Sequence, residues 1–382
     1  MRILLILVVL SLFSCKNENE KSATNQSEFT DLQFKLDSLY NAHFNENSPG
    51  AALLILYEGE KIVNKGYGLR DLENKEPITP STNMRSGSIT KQFTCLGILN
   101  LIQQGKLSLN DTIYKYYPYP IFKNVTIKQF ISHTSGIEDP DWIFHEGGWN
   151  SSDYVQNEDI LNWYAENEII RFPPGTKFEY NNATYQTLSL IIEKVSGMTY
   201  ESYIDKYVFN ESGMINTQFI DNADSTNIPE YAYRYQKDSL GHWNSVEGHF
   251  LDEVVGAGGM YFSLNDFAKY IKSLRDKTIL NKESHELIFK PISMNTELHS
   301  EDFKMFIGKE SSYAMGWEVT DSLALSAGLW NAVNNYVILE RKRPLTIVML
   351  SNNDDFFKHR LVDKTYSIVN DYFNKAANTV YN

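Results

Sequence analysis

Only two cysteines, Cys15 and Cys95, occur in the 382 residues, too few for a disulfide scaffold or for a zinc site built on several thiolates. No apolar run reaches the roughly 18 to 20 residues that would span a bilayer. Positive charge is in short supply. Lys and Arg number 35 against 48 Asp and Glu, a formal net charge of −13, and such an average surface repels a phosphate backbone, which excludes nucleic acid as an expected partner. There is no internal repeat, no heptad run, no His-Glu-x-x-His segment and no Gly-rich phosphate loop after a strand. His242, Glu247 and His249 are close in sequence but read as solvated loop residues rather than ligands, so neither metal nor cofactor is expected. What is present is globular in composition: 42% hydrophobic, 13% aromatic and 22% charged.

Behind Arg2, Ile3 to Phe13 is apolar except for Ser11, too short for a transmembrane helix and suited to a signal-peptide core over residues 1–14. Leu12-Phe13-Ser14-Cys15 resembles the lipobox of bacterial lipoproteins, with Phe13 bulkier than usual; an ordinary secretory signal is the alternative. The resemblance implies acylation of Cys15, a polar tether over residues 15–29, and a folded part held outside the cytoplasm, in the periplasm or at the outer membrane, by its lipid anchor. Cys95 then has no disulfide partner and is expected to be buried and inert.

Strand patterns cluster at the two ends of the chain and helix patterns in the middle. Ala51 to Tyr57 and Ile62 to Leu69 read as a hairpin through Glu58-Gly59. Leu323 to Ser326, Tyr336 to Glu340 and Leu345 to Leu350 read as further strands, and Arg341 to Pro344 as a solvated turn. Helices are predicted at Thr30 to His43, Ile89 to Gln104, Thr126 to Ser132, Asn157 to Asn167, Ala183 to Ser196, Ser202 to Val208, Leu264 to Arg275 and Phe356 to Phe373, with Asp139 to Trp149 a loop. The fold class is therefore α+β: an antiparallel sheet built from both termini, flanked by helices, with an inserted helical subdomain. The α/β part is placed at about 30–85 and 305–375, the helical part at about 86–304, and a cleft is expected where they meet.

Ser88-Ile89-Thr90-Lys91 is the sequence's Ser-x-x-Lys. After Gly87 it opens a helix, so Ser88 lies at the positive end of the dipole and Lys91 is one turn away on the same face. An alcohol becomes a nucleophile when its proton is taken, and a desolvated lysine can take it. The alternative is a Ser cap beside a solvated Lys. Tyr180-Asn181-Asn182 offers a phenol for proton transfer and an amide for holding a carbonyl or the lysine; the alternative is a packed Tyr and an Asn helix cap.

Four ordered segments carry a family resemblance: Arg85-Ser86-Gly87-Ser88-Ile89-Thr90-Lys91, Ile131-Ser132-His133-Thr134-Ser135-Gly136-Ile137, Pro173-Pro174-Gly175-Thr176-Lys177-Phe178-Glu179-Tyr180-Asn181-Asn182 and Gly256-Ala257-Gly258-Gly259-Met260-Tyr261. From about Asp31 to about Phe373 the chain resembles the serine hydrolases of the class C β-lactamase and penicillin-binding protein superfamily. The resemblance implies a β-lactamase/transpeptidase-like fold. It makes Ser88 the acylated nucleophile, Lys91 its proton partner, Tyr180 a second acid/base group and Asn182 the polar residue beside them. It also implies a small-molecule or peptide-like substrate, and His133 is read as structural.

The third motif of that superfamily usually reads Lys-Thr-Gly or His-x-Gly. Here Leu325-Ser326-Ala327-Gly328-Leu329-Trp330-Asn331 stands in its place. Gly328 fits, and the Leu329 amide would complete an oxyanion hole with that of Ser88. Ser326 supplies a hydroxyl in place of a cation, which weakens carboxylate recognition. The expected activity is hydrolysis of an ester, amide or D-peptide-like substrate, reduced by this departure; a catalytically reduced binding or sensor protein is the alternative.

Overall fold

The structure is a computed structural model that describes residues 29–148, 153–220, 227–292 and 311–380. The signal segment and Cys15 lie outside the described residues, as does Trp149. Phe29, the last residue of the expected tether, is already part of the core, packed against Tyr57, Tyr372 and Phe373.

Seven strands form one antiparallel sheet: β1 (Ala51–Tyr57), β2 (Glu60–Tyr67), β3 (Ser312–Tyr313), β4 (Glu318–Val319), β5 (Leu323–Trp330), β6 (Val333–Glu340) and β7 (Leu345–Ser351). Their spatial order is β3-β4-β5-β6-β7-β1-β2, so the N-terminal hairpin is sealed to the C-terminal meander by the β1–β7 pair, Ala51 opposite Ser351 through Tyr57 opposite Leu345. Side chains alternate across a strand, and here both faces are covered. Ala51, Leu53 and Ile55 face one core with Tyr336, Ile338, Ile347 and Met349; Ala52, Leu54 and Leu56 face the other with Val337, Leu339, Val348 and Leu350. That two-sided burial explains why β1 and β7 read as continuous apolar runs.

The first face is covered by α1 (Thr30–Asn41), through Leu32, Leu36 and Tyr40, and by the C-terminal helix, through Leu361, Val362, Val369 and Phe373. On the second lie α2 (Thr90–Gln103), α3 (Asn157–Glu166), α4 (Ala183–Ser196) and α5 (Leu264–Asp276), whose apolar residues form one continuous cluster with the sheet. The C-terminal helix is α6 (Leu361–Val380). Twelve of the 14 residues of α2 are buried, so its whole circumference is packed and its polar residues must find internal partners.

Most predicted elements are present, and the differences have local causes. β5 runs past Ser326 to Trp330, because pairing to β6 overrides the weak strand propensity of Ala327-Gly328. The predicted final helix is two pieces, Asp355–Lys358 and α6. The segment predicted as a loop from Asp139 is helical at Pro140–Ile143, where Asp139 caps the Asp141 N–H. Arg343 in the predicted solvated turn instead pairs with Glu340 at 2.5 Å and bonds Asn370.

Candidate active site

The chain approaches α2 through a tight turn at Gly87–Ile89, anchored by Met84–Arg85 pairing with Met260–Phe262 and by Ser86 N–H donating to the Met260 carbonyl at 2.8 Å. Gly87 has φ +56°, and a Cβ there would lie 2.7 Å from the Gly328 carbonyl carbon. A Cβ on Gly328 would lie 2.0 Å from the Ser86 carbonyl oxygen. Glycine at both positions lets the turn and β5 touch through their backbones, the Leu329 nitrogen lying 3.0 Å from where a Cβ on Gly87 would sit. Asn335 on β6 secures the join, donating to the carbonyls of Arg85 (2.7 Å) and Ser86 (3.2 Å).

Lys91 is buried, and its ammonium donates to Ser88 Oγ at 3.1 Å, Asn182 Oδ1 at 2.8 Å and the Ala257 carbonyl at 3.2 Å. Burial pushes this amine down to about 7, against the upward pull of the Asp139 and Asp141 carboxylates. Ser88 is half-buried and belongs to the turn rather than capping α2, and Asn182 uses its side chain on Lys91 rather than on the start of α4. Neither Ser88 nor Asn182 caps a helix with its side chain, while Tyr180 does pack against His133 at 4.2 Å between ring centres. Tyr180 is hydrogen-bonded to Ser88, and its ring lies 4.8 Å from the Lys91 nitrogen. Burial raises the phenol well above its ordinary range, only the Ser88 hydrogen bond opposing. The group is held protonated.

Two clefts open at Ser88. One, of about 30 Å³, is lined by Tyr180, Tyr313, Glu318, Ser326 and Ala327. The other, of about 50 Å³, is lined by Arg85, Asp141, Asn182, Gln186, Leu329 and Trp330 among others. Ser326 and Leu329 line the clefts, one buried and the other exposed, while Gly328 lies between them against the Ser86 carbonyl. His133 is buried, accepts the Asn181 N–H at Nδ1 (3.2 Å) and packs on Tyr180, a positioning role. Cys95 is buried, and burial pushes its thiol up to about 12, so it is inert.

Several residues of the site were not singled out from the sequence. Asp139 accepts the N–H groups of Asn182 (2.7 Å) and Asp141 (3.2 Å), fixing the start of α4 relative to Lys91. Asp252 accepts from Arg234 at 2.6 Å and Trp330 Nε1 at 2.8 Å, with Arg85 at 3.5 Å. The only signal for the first was Asp139-Pro140, a helix-start pattern just after the His133 segment; the second had none, since its partners come from distant strands and loops.

Residues 36–368 match the Beta-lactamase family. Among curated proteins the chain is 26% identical to Penicillin-binding protein 4* of Bacillus subtilis over 84% of its own length and 72% of that protein's. It is 28% identical to Protein flp of Staphylococcus aureus over 87% of its own length and 65% of that protein's. Among solved structures, a penicillin-binding protein homologue from Pyrococcus abyssi superposes with a TM-score of 0.71 at 25% identity, covering 89% of this chain and 74% of that one. The D-amino acid amidase of Ochrobactrum anthropi shares the fold, with a TM-score of 0.73 at 20% identity over 91% of this chain and 99% of that one. Sequence match and fold agree, and the chain belongs to the β-lactamase family of penicillin-binding-protein-like serine hydrolases.

Proposed function

We propose that the protein is an extracytoplasmic acyl-transfer hydrolase of small esters, amides or D-peptide-like molecules, with Ser88 as nucleophile. The observation that carries this reading is the 3.1 Å contact between Ser88 Oγ and a buried lysine whose amine is brought close to neutrality. Neutral Lys91 accepts the Ser88 proton as Oγ attacks the carbonyl carbon. The developing oxyanion is met by the backbone N–H groups of Ser88 and Leu329. Tyr180, held protonated, donates to the departing oxygen or nitrogen, and Lys91 supplies the proton that restores it. Water then cleaves the Ser88 ester and returns the proton, so the cycle closes with no cofactor. Asn182 aims Lys91, and Asp139 holds Asn182.

Among the described residues no helix is long and apolar enough to cross a membrane. Attachment through acylated Cys15 is the localisation this reading adopts.

Incubation with a fluorophosphonate or penicillin probe, followed by mass mapping of the folded protein, is expected to place the adduct on Ser88. Absence of any adduct on folded protein would overturn the assignment. A second reading, a catalytically reduced binding protein, is favoured by Ser326, which puts no charge beside Tyr180 in the first cleft. Ser326→His tests it. A large gain in turnover over a nearly inactive wild type supports that reading, and an already active wild type ends it.

A further inference from the structure

Away from Ser88, a pocket of about 530 Å³ opens between the end of α5, the short helix Lys282–Leu287 and the turn from β6 to β7. Its floor is apolar, formed by Leu274, Phe289 and Leu339, and its rim carries four cations, Arg275, Lys277, Lys290 and Arg341. Glu286 is the one acid among the lining residues. Among the described residues no carboxylate lies within ion-pairing distance of any of the four, whereas their neighbours Lys272 and Arg343 are paired with Asp276 and Glu340. Neutral acceptors fix the two arginines. Arg275 donates to the carbonyls of Glu340 (3.2 Å) and Leu345 (2.8 Å) and to the Thr346 hydroxyl (2.9 Å). Arg341 donates to the Thr320 carbonyl at 2.8 Å, its guanidinium 6.0 Å from the centre of the Phe289 ring. Their positions are set while their charge stays unanswered.

In a chain of net charge −13 this rim is a local exception. Charges on remote faces are screened beyond about 8 Å at physiological ionic strength, so an approaching anion responds to the rim rather than to the average surface. One free carboxylate or phosphate would answer only part of the four charges. A bilayer rich in anionic lipid presents many phosphates at once, with glycerol and acyl carbons beneath them to meet an apolar floor. Position favours the same occupant. Phe29, from which the tether leads, packs on Tyr57; Tyr57 stands opposite Leu345 in the sheet, and Arg275 holds the Leu345 carbonyl. Arg343, in the same turn as Arg341, lies 5.7 Å from the ring of Phe373, another neighbour of Phe29. The root of the tether and the pocket therefore share one end of the sheet, and Leu329 stands towards the other end of β5. A polar coil over residues 15–28 spans about 20 Å, which keeps this end near the bilayer.

We propose that this pocket docks the phosphate headgroup of an anionic phospholipid in the membrane to which acylated Cys15 tethers the chain, an inference that rests on the localisation adopted above. The phosphate oxygens accept from Lys277, Lys290 and Arg341, and the glycerol and first acyl carbons cover Leu274, Phe289 and Leu339. Anchor and pocket then act as two linked contacts, the first raising the effective concentration of the second. Together they turn the tethered end of the sheet to the bilayer and leave the Ser88 cleft clear of it.

The test uses the mature chain from residue 15 with Cys15→Ser, so that no acyl group holds it, and sedimentation with phosphatidylcholine vesicles with and without about one-third phosphatidylglycerol at physiological salt. Each basic residue beside an anionic surface strengthens binding about fivefold, so the anionic vesicles should bind about tenfold or more tighter than the neutral ones. Lys277→Gln together with Lys290→Gln should remove about tenfold or more of that binding. Both lysines are exposed, so thermal unfolding should be unchanged. Lys123→Gln together with Lys128→Gln, an exposed pair outside the pocket, should leave binding within about twofold. Equal binding to both vesicles, or equal losses in the two pairs of variants, overturns the docking. Binding of inorganic phosphate without binding of anionic vesicles overturns the membrane as its occupant. Mass analysis of Cys15 in the membrane fraction of cells making the full chain separates the two readings. An acylated Cys15 without a preference for anionic vesicles overturns the docking alone; an unmodified Cys15 overturns the localisation, and the docking with it.

Discussion

Lys91→Met keeps the length and bulk of the side chain while removing the amine that lies 3.1 Å from Ser88 Oγ. General-base assistance contributes about 10²- to 10⁴-fold, so kcat/KM on a simple ester should fall by that order, with thermal unfolding showing that the fold persists. Tyr180→Phe separates a proton donor from a packing residue. Because the phenol is held protonated, its loss should slow amides and alkyl esters by about 10²-fold or more, yet barely slow p-nitrophenyl esters, whose leaving group needs no proton. Equal losses on both would contradict the role. Ser88, Lys91, Tyr180 and Asn182 were legible through the family resemblance that four ordered segments carry together, each motif alone leaving a structural alternative open. Asp139, Asp141 and Gln186 were not, because an Asp or Gln takes on meaning only from what packs against it, and here the partners are up to 45 residues away.

At the scale of elements, the approach of the Gly87–Ile89 turn to β5 is the feature on which the proposed oxyanion site rests. Gly328→Ala sets a methyl 2.0 Å from the Ser86 carbonyl oxygen, so β5 must retreat and carry the Leu329 amide with it. Losing one such donor typically costs about 2.7 to 4 kcal/mol in the transition state. The variant should therefore lose about 10²- to 10³-fold in kcat while Lys91 remains beside Ser88, measured by acylation and deacylation rates on an ester. The elements themselves were mostly legible where one physical signal dominated. Ala183–Ser196 was bounded correctly by its apolar period. β5 was cut short because Ala-Gly carries little strand propensity and only the register with β6 reveals that pairing continues. The Asp139 segment was read as a loop because its helical turns are four or five residues long, beneath what periodicity can register.

The molecule as a whole is closed by contacts between distant parts of the chain, and one of them reaches the site. Arg234 is 1% exposed and pairs with both Glu247 and Asp252, while Asp252 also binds Trp330 at the end of β5 and faces Arg85 beside the nucleophile turn. Asp252→Ala takes the carboxylate from buried Arg85 and leaves buried Arg234 with Glu247 alone. Breaking a buried pair in this way costs about 3–5 kcal/mol, to be read from urea unfolding midpoints at unchanged slope. The sheet assembled from both termini was legible from where the strand patterns cluster; this polar network was not, because its members are brought together from strands and loops far apart in sequence. The account stands or falls on Lys91 being neutral enough to accept the Ser88 proton, and the rate at which a fluorophosphonate labels Ser88 as a function of pH measures that directly. A lysine at about 7 predicts a rate that rises through pH 7 and levels off above it, as the amine loses its proton; a rate still climbing towards pH 10, or one flat across this range, would contradict it.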